Sequence, residues 1–235
     1  MGFRRLVSDF GMYVLGTGDN TLYLALYVDD LFLFCLYLGR ISGVKDQLGH
    51  KFKMKDLGEA RFLLGLEIRR QPNGDVFLCQ EKYSGEVLVK SGMDACNPAA
   101  IPLELGQVFT QGSQELPDQV GALLQEGALA AIPYKSAMGS LLYLTSGTRP
   151  DLAAAVNTLC RYSQNPTLEH WEGVKRVLRY LKGTQGLGLM YKKGEGLDVW
   201  GYSDASHAND AATRKGRSGY VFIRLGQLSA GVALC

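Results

Sequence analysis

The sequence predicts an α+β fold: antiparallel β-hairpins with helices first, then a helical stretch, then a further pair of strands. Three patterns carry that expectation. Two apolar runs, Leu22–Val28 and Leu31–Leu36, flank the adjacent aspartates Asp29 and Asp30. The dipeptide Asn73-Gly74, a strong hairpin signal, separates Leu66–Arg69 from Val76–Leu78. Further on, Trp171, Val174, Leu178 and Leu181 recur at helical spacing, with Lys175, Arg179 and Lys182 on another face.

In chain order, Leu22–Val28 and Leu31–Leu36 read as two strands, because Leu, Tyr, Phe and Val favour strands. Aspartate suits the turn between them, with Asp29 and Asp30 at its tip. A single buried helix interrupted by a polar pair is the alternative, since a short apolar run fits either. Ser42–Phe52 reads as a helix with Ser42 as N-cap. The segment after Gly58 is apolar up to Ile68, and Tyr83–Ser91 is a short helix stopped by Gly92. Asn97–Pro133, with Pro98, Pro102, Pro117 and Pro133, is an extended linker, mobile or wrapped over the surface. Helices follow over Tyr134–Thr145, over Asp151–Ser163 with Pro150 near the first turn, and over Leu168–Leu181 with Gly183 as C-cap. The segments "LDVWGYSDAS" and "SGYVFIRLG" read as two strands of a meander.

At 235 residues the chain suffices for one large domain or two small ones, and a hydrophobic fraction of 46% supports a buried core. Formal net charge is +2, but its distribution is uneven. Ser91–Tyr134 contains no Lys or Arg and carries Asp94, Glu104, Glu115, Asp118 and Glu126. Lys135–Lys193 carries nine basic residues against three acidic, which favours an anionic partner for that part. Five scattered cysteines with no C-x-x-C pair read as reduced intracellular thiols rather than a disulfide scaffold or zinc site. No signal peptide is recognisable. The only transmembrane candidate, Leu22–Leu38, is 17 residues long and holds two aspartates, each costing about 2.5–3.5 kcal/mol in a bilayer centre. No membrane partner is expected.

Two carboxylates on a hairpin held by apolar strands have a chemical use. Paired acids repel unless a divalent cation neutralises them. Hard oxygen ligands on an open site suit Mg²⁺. The plain alternative is a solvated turn, and composition leaves the two open. Likewise Phe62, Leu64, Leu66 and Ile68 alternate as in an ordinary half-buried strand, and the basic face of Leu168–Leu181 is equally a solvated surface. Trp171 belongs with the core, and His170 is a helix-start residue with no second His or Cys placed to share a metal.

The blocks "YVDDLFLF", "FKMKDLGEARFLLGLEI", "YKSAMGSLLYLTSGTRPDLAAAV", "HWEGVKRVLRYLKGT" and "GYSDASHANDAATRKGRSGYVF" follow one another in the order and spacing of copia-type (pseudoviral) retrotransposon Pol polyproteins. Tyr27-Val28-Asp29-Asp30 resembles the Y-x-D-D motif of their reverse transcriptases. The resemblance covers nearly the whole chain, with the proline-containing connector and the last residues its weak parts.

That resemblance implies a partial polymerase palm with the start of the thumb over 1–96, a linker over 97–133, a helical thumb or connection region over 134–196, and the truncated opening hairpin of a ribonuclease H-like domain over 197–235. It implies that Asp29 and Asp30 are catalytic and hold Mg²⁺ or Mn²⁺, with Tyr27 at the nucleic acid. Phe62, Leu64 and Gly65 resemble the primer grip, which positions the primer's 3′ end. Lys175, Arg179 and Lys182 are implied to contact phosphates of the template–primer duplex. Arg214, Lys215 and Arg217 form a basic loop, either near the hybrid backbone or simply solvated. Asp204 resembles the first metal-binding aspartate of ribonuclease H. The implied partners are an RNA or DNA template–primer, a deoxynucleotide and the remainder of the polyprotein. The implied location is a cytoplasmic particle and the nucleus. A further palm aspartate and the later ribonuclease H acids have no counterpart in this sequence, and "RLGQLSAGVALC" lacks the Trp-Ser-Ser-Lys-like strand. Two-metal nucleotidyl transfer by this chain alone is therefore not expected. The alternative is a non-catalytic nucleic-acid-binding remnant of a decayed element.

Overall fold

A computed structural model describes residues 1–104, 106–109, 133–194, 198–206, 216–224 and 227–234, and divides the chain into two compact units, Met1–Ala60 and Arg61–Cys235.

The first unit is a four-stranded antiparallel sheet, with β1 (Arg4–Arg5), β2 (Met12–Leu15), β3 (Leu22–Tyr27) and β4 (Asp30–Phe34) in sequential order, followed by helix α1 (Leu38–Lys51). Strand neighbours point to opposite faces, and cross-strand pairing sorts the apolar residues. Leu22, Leu24 and Leu26 share a face with Leu31 and Leu33, through the pairs Leu24–Leu33 and Leu26–Leu31. Leu22 is fully buried there against Val44 and Leu48 of α1, with Leu15, Leu31, Leu33 and Ile41 around them. Ser42 does not cap α1. The helix begins a turn earlier, at Leu38, with no side-chain cap, and Ser42 lies within it. Packing of Ile41, Val44 and Leu48 against Leu22, with Arg40 Nη2 donating to the Leu15 carbonyl at 3.3 Å, overrides the weaker capping preference.

The second unit holds an antiparallel sheet of β5 (Phe62–Leu63), β6 (Leu66–Arg70), β7 (Val76–Cys79) and β8 (Gly188–Tyr191), in that order. The hairpin at Asn73-Gly74 forms as the sequence suggests, but its loop runs from 71 to 75, closed by Gly74 N–H to the Gln71 carbonyl. Phe62–Ile68 is not one strand. It folds back at Leu64-Gly65, pairing Leu63 with Leu66 and Phe62 with Glu67.

Helices α2 (Glu81–Lys90), α3 (Tyr134–Gly147), α4 (Ala153–Cys160) and α5 (Leu168–Gly183) enclose the main core. Val174, Leu178 and Leu181 of α5 are fully buried among Leu141, Leu144, Val156 and Leu159. Each such side chain contributes roughly 2 kcal/mol by area. Thr167 and His170 form a capping box at the start of α5, and the buried His170 ring stacks on Tyr162 at 4.0 Å. Trp171 packs against the core near Tyr134. Gly183 ends α5 inside the helix rather than as a C-cap. α4 is shorter than Asp151–Ser163, because Pro150–Leu152 winds as a 3₁₀ turn before it and it stops at Cys160.

The described start of the connector is wrapped on the helices. Phe109 is buried, and Ala99 N–H donates to the Arg179 carbonyl. Residues 110–132, Pro117 included, lie outside the described residues. The last strands, β9 (Val199–Ser206), β10 (Arg217–Arg224) and β11 (Gln227–Leu234), form an antiparallel meander in the order β11-β10-β9. A third strand thus joins the expected pair. The segment lacking the Trp-Ser-Ser-Lys-like pattern still pairs antiparallel along β10.

Candidate active-site hairpin and nucleic-acid surface

Asp29 and Asp30 do not sit together at the turn. Tyr27 pairs with Asp30, so the two-residue tip is Val28-Asp29 and Asp30 opens β4. Both carboxylates are exposed, which removes the desolvation cost that an apolar run would impose. Val28 adopts φ of +51°, a left-handed conformation that a β-branched residue rarely takes. Strain of this kind amounts to about 1–2 kcal/mol. Pairing puts Tyr27 and Asp30 on the face opposite α1, together with Tyr23, Ala25, Phe32 and Phe34. Tyr23, Tyr27 and Phe34 are 43%, 56% and 46% exposed, so the acidic tip continues into a half-open aromatic surface. β4 is the terminal strand of its sheet, with one edge unpaired among the described residues.

The two carboxylates match the oxygen chemistry of a hard divalent cation, as part of a ligand set. Among the described residues no group of three or more His, Cys, Asp or Glu could hold a metal. Asp9 is engaged in its own turn, its Oδ1 accepting the Gly11 N–H at 2.8 Å.

The Leu64-Gly65 turn is the second strained place. Both residues have positive φ, +50° and +79°. That is the pattern of tight hairpin turns that favour Asn-Gly, and leucine is ill suited to its first position. The Tyr143 hydroxyl, on α3, donates to the Leu64 carbonyl. Beside the turn, Glu67 accepts the Lys82 N–H at the start of α2 and a hydrogen bond from Arg69, each at 2.8 Å. Partial burial works against the Glu67 carboxylate, but these donors outweigh it and hold its pKa below 4.5.

On α5, Lys175 pairs with Glu172 at 2.5 Å, and Arg176 with Glu104 of the connector at 2.9 Å. Arg179 Nε donates to the Asn97 carbonyl at 2.8 Å, so the predicted basic stripe is partly engaged by the connector. A cleft of about 670 Å³ remains between them, lined by Met93, Glu104, Gln107, Lys175, Arg176 and Arg179. Lys182 is half-buried at the end of α5. Asp204 is exposed on β9, opposite Gly219. Arg214 and Lys215 lie outside the described residues, and Arg217 is described only as the first residue of β10.

Sequence reasoning missed Arg149. Its guanidinium is 1% exposed and makes four hydrogen bonds: Nε and Nη2 donate to Asp151, Nη1 to the Thr184 carbonyl and Nη2 to Thr184 Oγ1, over 2.7–3.0 Å. The arginine of "TRPD" was the available signal, but its partner Thr184 is 35 residues away. Tyr143 and Gln80 were missed for the same reason. Buried Gln80 accepts both the N–H and the hydroxyl of Thr148 at 3.0 Å.

The Tyr27-Val28-Asp29-Asp30 hairpin lies in a stretch of the chain that a known family covers. The family described as "Reverse transcriptase (RNA-dependent DNA polymerase)" matches residues 1–105. The chain belongs to the copia-type retrovirus-related Pol polyproteins. It is 39% identical over 207 residues to the Pol polyprotein of transposon TNT 1-94 from Nicotiana tabacum, covering 87% of this chain and 15% of that one. It is 35% identical over 222 residues to that of transposon RE2 from Arabidopsis thaliana, covering 94% and 14%. A Saccharomyces cerevisiae protein assigned to transposon Ty5-1 is 32% identical over 96% of this chain and 70% of its own length. The chain thus spans about one seventh of the plant polyproteins it matches. No solved structure matches it significantly.

Proposed function

We propose that this chain supplies the Y-x-D-D half of a two-metal nucleotidyl-transfer site, together with surfaces that hold a template–primer duplex. The observation that carries this reading is the β3–β4 hairpin. Asp29 in its tip and Asp30 at the start of β4 are both exposed, beside Tyr27.

Divalent ions held by Asp29 and Asp30 with further ligands would supply neutralisation of phosphate charge and activation of a primer 3′-hydroxyl. Asp29 and Asp30 provide two of the protein carboxylates for them. The unpaired edge of β4 is where a further palm strand, from the remainder of the polyprotein, adds its own acid. Phe62, Leu64 and Gly65 place the primer end, and Lys175, Arg179 and Lys182 meet duplex phosphates. Residues 197–235 are the opening strands of a ribonuclease H-like domain, with Asp204 one ligand of its metal site.

Primer extension on an RNA template with Mg²⁺ or Mn²⁺ tests this. The chain alone gives no extension, and a reverse transcriptase region that contains it extends the primer. Extension by the chain alone, lost in Asp29→Asn, would refute the half-site reading.

Lys175, Arg176 and Arg179, which line a cleft beside α5 together with Glu104 and Glu172, favour a second reading, duplex binding without chemistry. Three phosphate contacts predict about a 40-fold loss of affinity between 50 and 200 mM salt. Salt-insensitive binding would remove both readings of that surface.

A further inference from the structure

We infer that Tyr143 is a positioning residue that sets the geometry of the Leu64-Gly65 turn, and through it the seat of the primer terminus. This rests on the primer-grip reading of that turn, and three observations carry it. The turn needs an external hold, because it puts a leucine at φ +50° next to a glycine at φ +79°. An ordinary L-residue leaves the left-handed region readily unless its surroundings fix it there. The hold is visible: the Tyr143 hydroxyl donates to the Leu64 carbonyl across 79 residues of sequence. A Cβ placed on Gly65 would collide with the same hydroxyl, so turn and tyrosine fit only with glycine there.

The tyrosine is itself braced. Its ring meets Tyr83 of α2 edge-on, with centroids 4.9 Å apart and planes at 78°. α3, whose inner face packs in the main core through Leu141 and Leu144, therefore presents an oriented phenol to the hairpin. Tyr143 is 38% exposed, at the rim of the helices rather than in their core. Loss of its hydroxyl removes one hydrogen bond from the turn and leaves the packing in place.

The test compares the whole chain with Tyr143→Phe. Affinity is measured for an RNA–DNA duplex with a recessed primer 3′ end and for a blunt duplex of equal length. The wild type prefers the recessed end. Tyr143→Phe keeps its affinity for blunt duplex within about twofold and loses about fivefold of that preference, the scale of one hydrogen bond. A purely structural role would weaken both duplexes together. Tyr83→Leu, which removes the ring that braces Tyr143 edge-on, gives the same selective loss and decides the matter where Tyr143→Phe fails to fold. Unchanged preference in the folded variants overturns the inference and leaves the primer-grip reading standing. Wild-type binding without any recessed-end preference overturns that reading and the inference together.

Discussion

Val28 and Arg149 show how single residues shape the two units. Val28 holds φ +51° at the tip of the acidic hairpin, where glycine would be unstrained. Val28→Gly is expected to stabilise the first unit by about 1 kcal/mol in urea unfolding, and a loss of stability would contradict the strain argument. Arg149 is the opposite case, a buried cation held by four hydrogen bonds to Asp151 and Thr184. Arg149→Met strands those acceptors and is expected to cost the second unit about 3 kcal/mol. A change below 1 kcal/mol would show that the network is incidental. The presence of the acidic turn was legible in "YVDD" because turn chemistry is local. That Val28 rather than Asp30 shares the tip with Asp29 was not, since the register follows from pairing of β4 with β3. Arg149 was opaque because its partner is brought in by the fold.

At the scale of elements, carboxylates tie hairpin β6–β7 to its neighbours, helix α2 and the end of β8. Glu67 caps the start of α2, and Asp75 accepts the Lys193 N–H at 2.9 Å from the strand-end next to it. That backbone hydrogen bond, with help from Asn73, holds the Asp75 carboxyl below 3.8. Both groups bind protons less readily when folded. Their contribution is therefore complete above their ordinary values of 4.5 and 3.8, and is lost as pH falls through the lower folded values. Stability should be flat from pH 7 to about 5 and fall below about 4. Glu67→Gln with Asp75→Asn should flatten that acid limb in a thermal melt. An unchanged limb would mean that other groups govern it. α5 was the most legible element, because its apolar stripe lies in one short window. The β5–β6 turn was hidden inside an alternation that also fits a strand, and only Gly65 marked it. α1 was misplaced at its start because packing against Leu22, not a capping side chain, decides where it begins.

At the scale of the molecule, family membership and the proposed chemistry meet at one strand. β4 carries Asp30 at its start and leaves an edge unpaired among the described residues. An open edge with exposed aromatics beside it is a docking site for another strand, and a route to self-association without one. The chain covers 14–15% of the plant polyproteins it resembles, and the proposed half-site takes that strand from the remainder of the polyprotein. The most direct test of the central claim is primer extension by the reverse transcriptase region of the polyprotein carrying Asp29→Asn or Asp30→Asn. Each substitution should lower extension at least about a hundredfold while leaving the affinity for template–primer within about twofold. Extension at the wild-type rate by either variant would contradict the assignment of the hairpin as a metal-holding half-site.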